Sequence, residues 1–192
     1  GCAVVRAKCF HDPRTTNYEF MFPEILYILA FAGLLWTVII YNKLVVDRNR
    51  VLTAWSDIDV QLKRRHDLVP KLVEAVKRYA AYESAALQAV TGLRAQSERF
   101  RDVGETGRVE GRLGEGLHRL IALAEDYPEL KADQSFLELQ RGLTEVENHI
   151  QYARRFYNGA VRNLNVRIES FPDMVIARVF GFRQAQFFDM GE

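Results

Sequence analysis

The chain has 192 residues, and its 26 lysines and arginines against 25 aspartates and glutamates leave a formal net charge of +1. This balance excludes a global field that would favour nucleic acid or an acidic substrate. The length allows one helical domain beside a membrane anchor and leaves no room for a second catalytic domain. Cysteine occurs only at Cys2 and Cys9, so no disulfide framework or cysteine metal cage is expected in the domain.

The first segment, residues 1–20, lacks an initiator methionine and a periodic apolar pattern. We interpret it as an upstream or non-native extension, with Met21 as the expected native start. Between residues 25 and 41 the only hydroxyl, amide or charge away from the aromatic ends is Thr37. Adding residues 44–46 brings the apolar body close to the ~20 residues that cross ~30 Å of hydrocarbon. We predict a transmembrane helix over 21–46, which is retained because no small-residue cleavage site follows it.

Three cations, Lys43, Arg48 and Arg50, follow this span, whereas no lysine or arginine lies between Met21 and it. The positive-inside rule therefore predicts a single-pass membrane protein whose domain lies in the cytoplasm. If residues 1–20 are native, their own cations make the count a tie. The three cations are also predicted to contact lipid headgroups, since they lie close to the end of the span.

Beyond the span, apolar residues recur with the alternating spacing of four and three that is typical of a helix-packing seam. They are Val51, Trp55, Ile58, Leu62, Val69, Leu72, Val76 and Tyr79, with Arg65 as the one exception. The phase is the same on both sides of Pro70. This favours one helix kinked at Pro70, although Asp67 could also cap a new helix there.

A second helix is predicted over residues 85–101, after a tight turn near 82–84. Residues 104–116 contain five glycines, each costing about 1 kcal/mol in a helix interior, so we expect a flexible connection. A short third helix is predicted over 117–126, closed by Tyr127 and Pro128.

The last helix has the clearest periodicity in the chain and is expected to pack along the first. Its seam positions are Phe136, Leu139, Leu143, Val146, Ile150, Ala153, Tyr157, Ala160 and Leu164. Phe171 and Pro172 end it, and an aromatic tail follows that is expected to pack on the bundle or rest on headgroups. The predicted fold is therefore all-α, with an N-terminal transmembrane helix continuous with an elongated antiparallel bundle over 47–188 and a short tail over 189–192.

The basic cluster at residues 63–66 lies too far from the span for headgroup contact on an upright helix, at about 36 Å against a Debye length of about 8–10 Å. We expect Asp59 to pair with Lys63 and Arg65 to meet a carboxylate on a neighbouring helix. A partner-protein surface is the alternative for this cluster.

Catalytic, cofactor and metal sites are not predicted. Asp57 and Asp59 point in opposite directions on a helix, and Glu115 with His118 is only half of a di-metal motif. His149 is expected to pair with Glu145 on the helix surface. No nucleotide-binding, zinc-protease or cysteine-nucleophile motif occurs in the domain.

Two segments are predicted as possible protein-partner surfaces. One is the acidic turn of Glu125, Asp126 and Tyr127, and the other is the aromatic pair Phe180 and Phe182. For both segments the ordinary alternative is open, namely a solvated turn and a set of core aromatics.

Several long strings resemble the LemA family of bacterial membrane proteins: YNKLVVDRNRVLTAWSDIDVQLKRRHDLVPKLVEAVKRYAAYE, the segment from ALAEDYPELKADQSF to RNLNVRIESFP, and the closing ARVFGF. The resemblance covers about Met21 to Phe188 and implies one N-terminal membrane helix, an antiparallel helical bundle and magnetosome-associated relatives. It implies no known reaction.

These observations predict a membrane-anchored, non-enzymatic scaffold or adaptor that organises proteins or its own assemblies at the cytoplasmic face. The expected partners are the lipid bilayer, other proteins and further copies of the chain, with no nucleic acid, cofactor or small-molecule substrate. The alternative is an accessory or regulatory subunit of a membrane protease or another membrane enzyme.

Overall fold

The computed structural model describes residues 16–100 and 102–191, with side chains from residue 23 onward. The interpretation of residues 1–15, with Cys2 and Cys9, lies outside the described residues. The described residues form helices and no strand, so the predicted all-α fold is confirmed. The elements are α1 (Thr16–Tyr79), α2 (Ser84–Ser97), α3 (Val103–Leu123), a 3₁₀ turn (Ala124–Asp126), α4 (Pro128–Ala132), α5 (Gln134–Glu169) and α6 (Asp173–Val179).

The chain forms two compact units, of which the first ends at Lys43 and the second covers Leu44–Glu192. In the first unit the side chains from residue 23 to 39 are almost all exposed, including large apolar ones such as Leu26, Phe31 and Trp36. Within the described part of the chain, α1 is the one helix long and apolar enough to cross a membrane. Such a surface is stable in hydrocarbon and costly in water, which fits the predicted span.

In the second unit, α1 and α5 pack against each other in opposite directions. The contacts that join them run in reverse order along the two helices: Asp47 with Arg167, Trp55 with Tyr157, Arg65 with Glu147, and Tyr79 with Asp133. We call the end at Asp47 and Arg167 the base and the end at Tyr79 and Asp133 the tip. The predicted pairing of the first and last helices is confirmed, and α1 passes through Pro70 without a new start at Asp67.

The core of the tip half is made mainly by α1, α2, α3 and α5, and Leu130 of α4 completes it. Its members from α1 are Val69, Leu72 and Val76, and those from α2 and α3 are Leu87, Val90, Leu113, Leu117 and Leu120, with Phe136 and Leu143 from α5. In the base half, α1 and α5 instead share their buried face with the C-terminal tail. Trp55 packs on Tyr157 and on Phe188, with ring centroids 5.6 and 5.7 Å apart.

The glycine-rich segment is not a flexible connection. It belongs to α3, which begins at Val103 after Asp102 accepts a hydrogen bond of 3.1 Å from the Glu105 backbone N–H. The prediction of a third helix confined to 117–126 was therefore wrong, as was the second-helix end at 101, because α2 stops at Ser97. The helical cost of the glycines is offset by close packing: a Cβ at Gly107 or Gly111 would overlap the tail backbone.

The tail turns back along α5 toward α3. Gly181, with φ +71°, ends α6, and the Phe182 N–H reaches the Ala177 carbonyl at 2.9 Å. Asn165 then exchanges two hydrogen bonds with the backbone of Ala185, and Asn158 does the same with Phe188. The part of the tail from Ala185 to Phe188 thus packs on the bundle, which is one of the two alternatives left open, and headgroup contact by the rest stays a prediction.

Candidate functional site

A buried polar cluster joins all four long helices of the second unit at mid-height. Arg65 and His66 come from α1, Ser97 ends α2, Glu110 lies on α3 and Glu147 on α5. Glu110 is fully buried, and Arg65 is 2% exposed. The expected pairing of Arg65 with a carboxylate on a neighbouring helix is confirmed, since it contacts two of them.

Glu110 is the centre of this cluster. Its carboxylate accepts a hydrogen bond of 3.1 Å from Arg65 Nη1, lies 2.6 Å from His66 Nε2 and accepts a further one from the Ser97 hydroxyl. Burial raises the pKa of Glu110, but the hydrogen bonds from His66 and Ser97 and the charge of Arg65 outweigh it, so the pKa lies below its ordinary value. The group is a carboxylate at neutral pH that contacts three side chains through its two oxygens.

The cluster contains the residue types of a serine hydrolase triad in an arrangement that does not perform that chemistry. In a working triad the histidine stands between the nucleophile and the acid, and accepts the proton of the serine hydroxyl. Here Ser97 and His66 both contact the same oxygen of Glu110, so the hydroxyl is engaged with the acid. The observed geometry holds helices together and does not activate a nucleophile.

Two open clefts lie on either side of the cluster. The first, of about 320 Å³, has Arg65 and Glu147 on its wall together with His118 from α3. The second, of about 500 Å³, exposes the edge of His66 and Ser97. Among the described residues no group of three or more His, Cys, Asp or Glu side chains could hold a metal ion. Glu115, the other half of the His118 motif, pairs on the surface with Arg119 at 3.6 Å.

The surface charges near the base are partly engaged. Lys43 and Arg48 are exposed, whereas Arg50 lies 3.3 Å from the buried carboxylate of Asp47, which also binds Arg167 at 2.7 Å. Headgroup contact by Lys43, Arg48 and Arg50 stays a prediction. Two further surface pairs are confirmed: Lys63 lies 2.8 Å from Asp59, and His149 lies 3.6 Å from Glu145.

The two predicted partner segments lie at opposite ends of the bundle. At the tip, Glu125 and Asp126 are exposed in the 3₁₀ turn, while Tyr127 is half-buried and packs on the core. Toward the base, Phe180 is exposed and Phe182 half-buried. The structure therefore does not bring these five residues together into one surface, and their use by partners stays a prediction.

An exposed apolar stripe on α5 was missed by the sequence analysis. Tyr152, Phe156 and Val166 are 65%, 62% and 53% exposed, and Gly159 between them faces open space. They follow a spacing of four, three and seven residues, which places them along one line of the helix. The signal was present as a second periodic column beside the core seam. It was hidden because aromatic residues in a strongly periodic helix are usually core.

Comparison with known proteins agrees with this architecture. The LemA family matches residues 54–192. Magnetosome protein MamQ 1 of Paramagnetospirillum magneticum is 24% identical over 89% of this chain and 72% of its own length. Magnetosome protein MamQ of Magnetospirillum gryphiswaldense is 22% identical over 84% and 69%. Protein LemA of Metamycoplasma hominis is 26% identical over 94% and 83%.

The alignment with protein LemA covers 94% of this chain, so it also includes most of α1 before residue 54, where the family match begins. Together with the exposed apolar part of α1, these relatives indicate a membrane protein. The extent of the family match, over most of the second unit, establishes the relationship: the chain belongs to the LemA family.

Proposed function

We propose that this protein is a membrane-anchored, non-enzymatic scaffold that organises copies of itself at the cytoplasmic face of the bacterial inner membrane. The observation that carries the proposal is the exposed stripe of Tyr152, Phe156, Gly159 and Val166 on α5. Exposed aromatic side chains aligned on one helix face are uncommon on a monomeric domain and are typical of an association surface.

The spacing of the stripe indicates that its packing partner is another helix. Positions that repeat every 3.5 residues on average stay on one line and are filled by the side chains of a facing helix. Gly159 supports this interpretation, since a Cβ there would meet nothing within the chain. A helix-interior glycine costs roughly 0.5–1 kcal/mol relative to alanine, and close approach of a second helix would account for it.

Anchoring favours another copy of the chain as that partner. Tethered molecules share one orientation and one surface, so their effective concentration is far higher than in solution, and a modest contact suffices. A two-fold axis parallel to the membrane normal brings the same stripe of two copies together. Two of the relatives are named as magnetosome proteins, and a place of this chain in a membrane-bound assembly would fit that association.

Cysteine crosslinking in the membrane tests the proposal. In the full chain with Cys2 and Cys9 replaced by serine, Phe156→Cys should give a dimer with a short bismaleimide, because two copies of position 156 face each other. Val60→Cys is the matched control, since Val60 is an exposed apolar residue on α1. Equal crosslinking at the two positions, or none at 156, would refute self-association through this stripe.

A variant that adds negative charge to the stripe is a second test of self-association. We expect the wild-type chain to form an oligomer in gentle detergent, measurable by mass photometry, and Tyr152→Glu with Phe156→Glu to abolish it at unchanged helical content. The control pair, Leu52→Glu with Val60→Glu, places the same charges on exposed apolar sites of α1 and should keep the oligomer. Persistence of the assembly in the α5 variant would contradict the proposal.

The accessory-subunit role is favoured by one feature, the exposed acidic turn of Glu125 and Asp126 at the tip. An acidic projection at the end of a bundle suits a basic partner surface. Photo-crosslinking from position 125 separates the two roles. One recurrent foreign protein would support an accessory subunit, whereas self-links through α5 with no such product would support the scaffold.

The cytoplasmic orientation is a part of the proposal with its own test. Tyr82 in the α1–α2 turn is 98% exposed, so a cysteine at this position reacts freely wherever it is accessible. We expect Tyr82→Cys to be protected from a membrane-impermeant maleimide in intact spheroplasts and to react after lysis. Reaction in intact cells would place the bundle outside and overturn the orientation.

A further inference from the structure

A second exposed apolar surface lies on α6 and on the turn that leads into it. Phe171, Val175 and Val179 are 81%, 48% and 73% exposed. Their spacing of four residues places Val175 and Val179 on one face of α6, while Ala177 on the other face is fully buried against the bundle. We call these three residues the α6 patch.

The α6 patch is held at the base of the bundle. Arg167 near the end of α5 binds Asp47 of α1 at 2.7 Å and Asp173, the first residue of α6, at 3.2 Å. One guanidinium therefore fixes the start of α6 beside the first turn of the second unit. Asp47 follows Lys43 by four residues, which is about 6 Å along a helix.

We propose that the α6 patch docks on the bilayer that anchors the chain, with Phe171, Val175 and Val179 entering the boundary between headgroups and acyl chains. The bilayer is the expected binding partner because Arg167 links the start of α6 to Asp47, which closely follows the apolar segment of α1. The exposed cations Arg178 and Arg183 flank the patch and complement anionic headgroups.

Docking at the base gives the bundle a second attachment beside its covalent anchor. A chain held by one spanning helix can tilt relative to the bilayer, whereas contact through α6 would limit that tilt. The inference rests on membrane anchoring alone. It does not require self-association, because the α6 patch and the α5 stripe use different residues.

The test measures the depth of α6 in lipid vesicles. The full chain without Cys2 and Cys9 carries a nitroxide at Val179→Cys in vesicles of phosphatidylcholine and phosphatidylglycerol, and its collisions with oxygen and with a water-soluble nickel chelate are recorded. Oxygen collides more in the acyl region and nickel more in water. We expect Val179→Cys to favour oxygen, and Val60→Cys and Tyr82→Cys to favour nickel.

Equal nickel accessibility at positions 179 and 60 would overturn the proposal. Spectral broadening at position 179 that disappears when unlabelled protein is added in excess would show contact with another copy, and would also overturn it. A second variant is independent of the label at 179. Val175→Glu with Val179→Glu should raise the nickel accessibility of a label at Phe171→Cys at unchanged helical content.

The depth measurement tests α6 docking and the crosslinking at Phe156 tests self-association, so either proposal can be refuted without the other. Loss of the oxygen preference with intact self-crosslinking removes α6 docking and leaves the scaffold. Retained oxygen preference without self-crosslinking supports docking and removes the scaffold.

Discussion

Replacing Glu110 by glutamine is the most direct test of what holds the four long helices of the second unit together. The substitution keeps the shape of the side chain and removes its charge. Arg65 and His66 then face an amide that accepts hydrogen bonds at one atom only, and its NH₂ group points at donors. Because Glu110 is fully buried, water cannot replace the lost acceptor.

The expected loss of unfolding free energy follows from the burial of Arg65, the ion-pair partner of Glu110. Arg65 is 2% exposed, and leaving one member of a buried ion pair uncompensated costs about 3–5 kcal/mol. Glu147 still binds Arg65, which places the expectation at the lower end of that range. For a domain of this size 1 kcal/mol shifts the melting temperature by about 2–4 °C, so a loss of roughly 6–12 °C is expected.

Thermal unfolding of the full chain in detergent, followed by far-ultraviolet circular dichroism, measures this shift. The matched control is Glu105→Gln on the same helix. Its carboxylate lies 2.8 Å from Arg108 at the surface, where an ion pair contributes about 0–1 kcal/mol. A shift below 2 °C for Glu110→Gln, or equal shifts for both variants, would refute the conclusion that the buried cluster stabilises the bundle.

The pH dependence of the unfolding stability tests the role of Glu110 independently. The pKa of Glu110 is lower in the folded than in the unfolded chain, so its contribution is present above the unfolded pKa of about 4.3. The contribution is lost as the pH falls through the folded pKa. The stability difference between wild type and Glu110→Gln should therefore shrink as the pH falls below about 4.3. The comparison is confined to this acid range because His66 lies 2.6 Å from the same carboxylate. A difference that grows below about pH 4.3 would contradict the lowered pKa.

Three further substitutions test the packing of the tail and the stripe. Gly111→Ala places a Cβ on the Met190 carbonyl, so the tail should detach and lose its hydrogen-exchange protection. Gly159→Ala, with open space around it, should instead stabilise the monomer by roughly 0.5–1 kcal/mol while weakening self-crosslinking. Asn158→Ala removes both hydrogen bonds to Phe188 and should cost about 1–3 kcal/mol in thermal unfolding.

The core seams were predictable because their periodicity has one physical solution. A long run of apolar residues at a spacing of four and three is typical of a helix that packs along another helix, and the two longest seams had matching lengths. The position of Arg65 within the first seam was informative for the same reason. A charge on a buried face needs a partner of opposite charge, and the structure provides Glu110 and Glu147.

The glycine-rich helix was not predictable from local propensity. Glycine weakens an isolated helix, and only the tertiary structure shows that the tail backbone needs the space above Gly107 and Gly111. The tail itself gave no periodic signal, since it is held by the side chains of Asn158 and Asn165. Long-range contacts of this kind have no counterpart in the sequence around them.

The exposed face of α5 changes character along its length. In its first half, the exposed positions are polar or charged, as at Glu138, Arg141 and Glu145, which suits contact with water. From Tyr152 onward the exposed positions include aromatic and branched apolar side chains, and the change continues into α6. Since this second half is the one paired with the start of the second unit, exposed apolar side chains are concentrated toward the base of the bundle. Contact with water alone does not account for this distribution, whereas the lipid docking and the self-association proposed above would both use it.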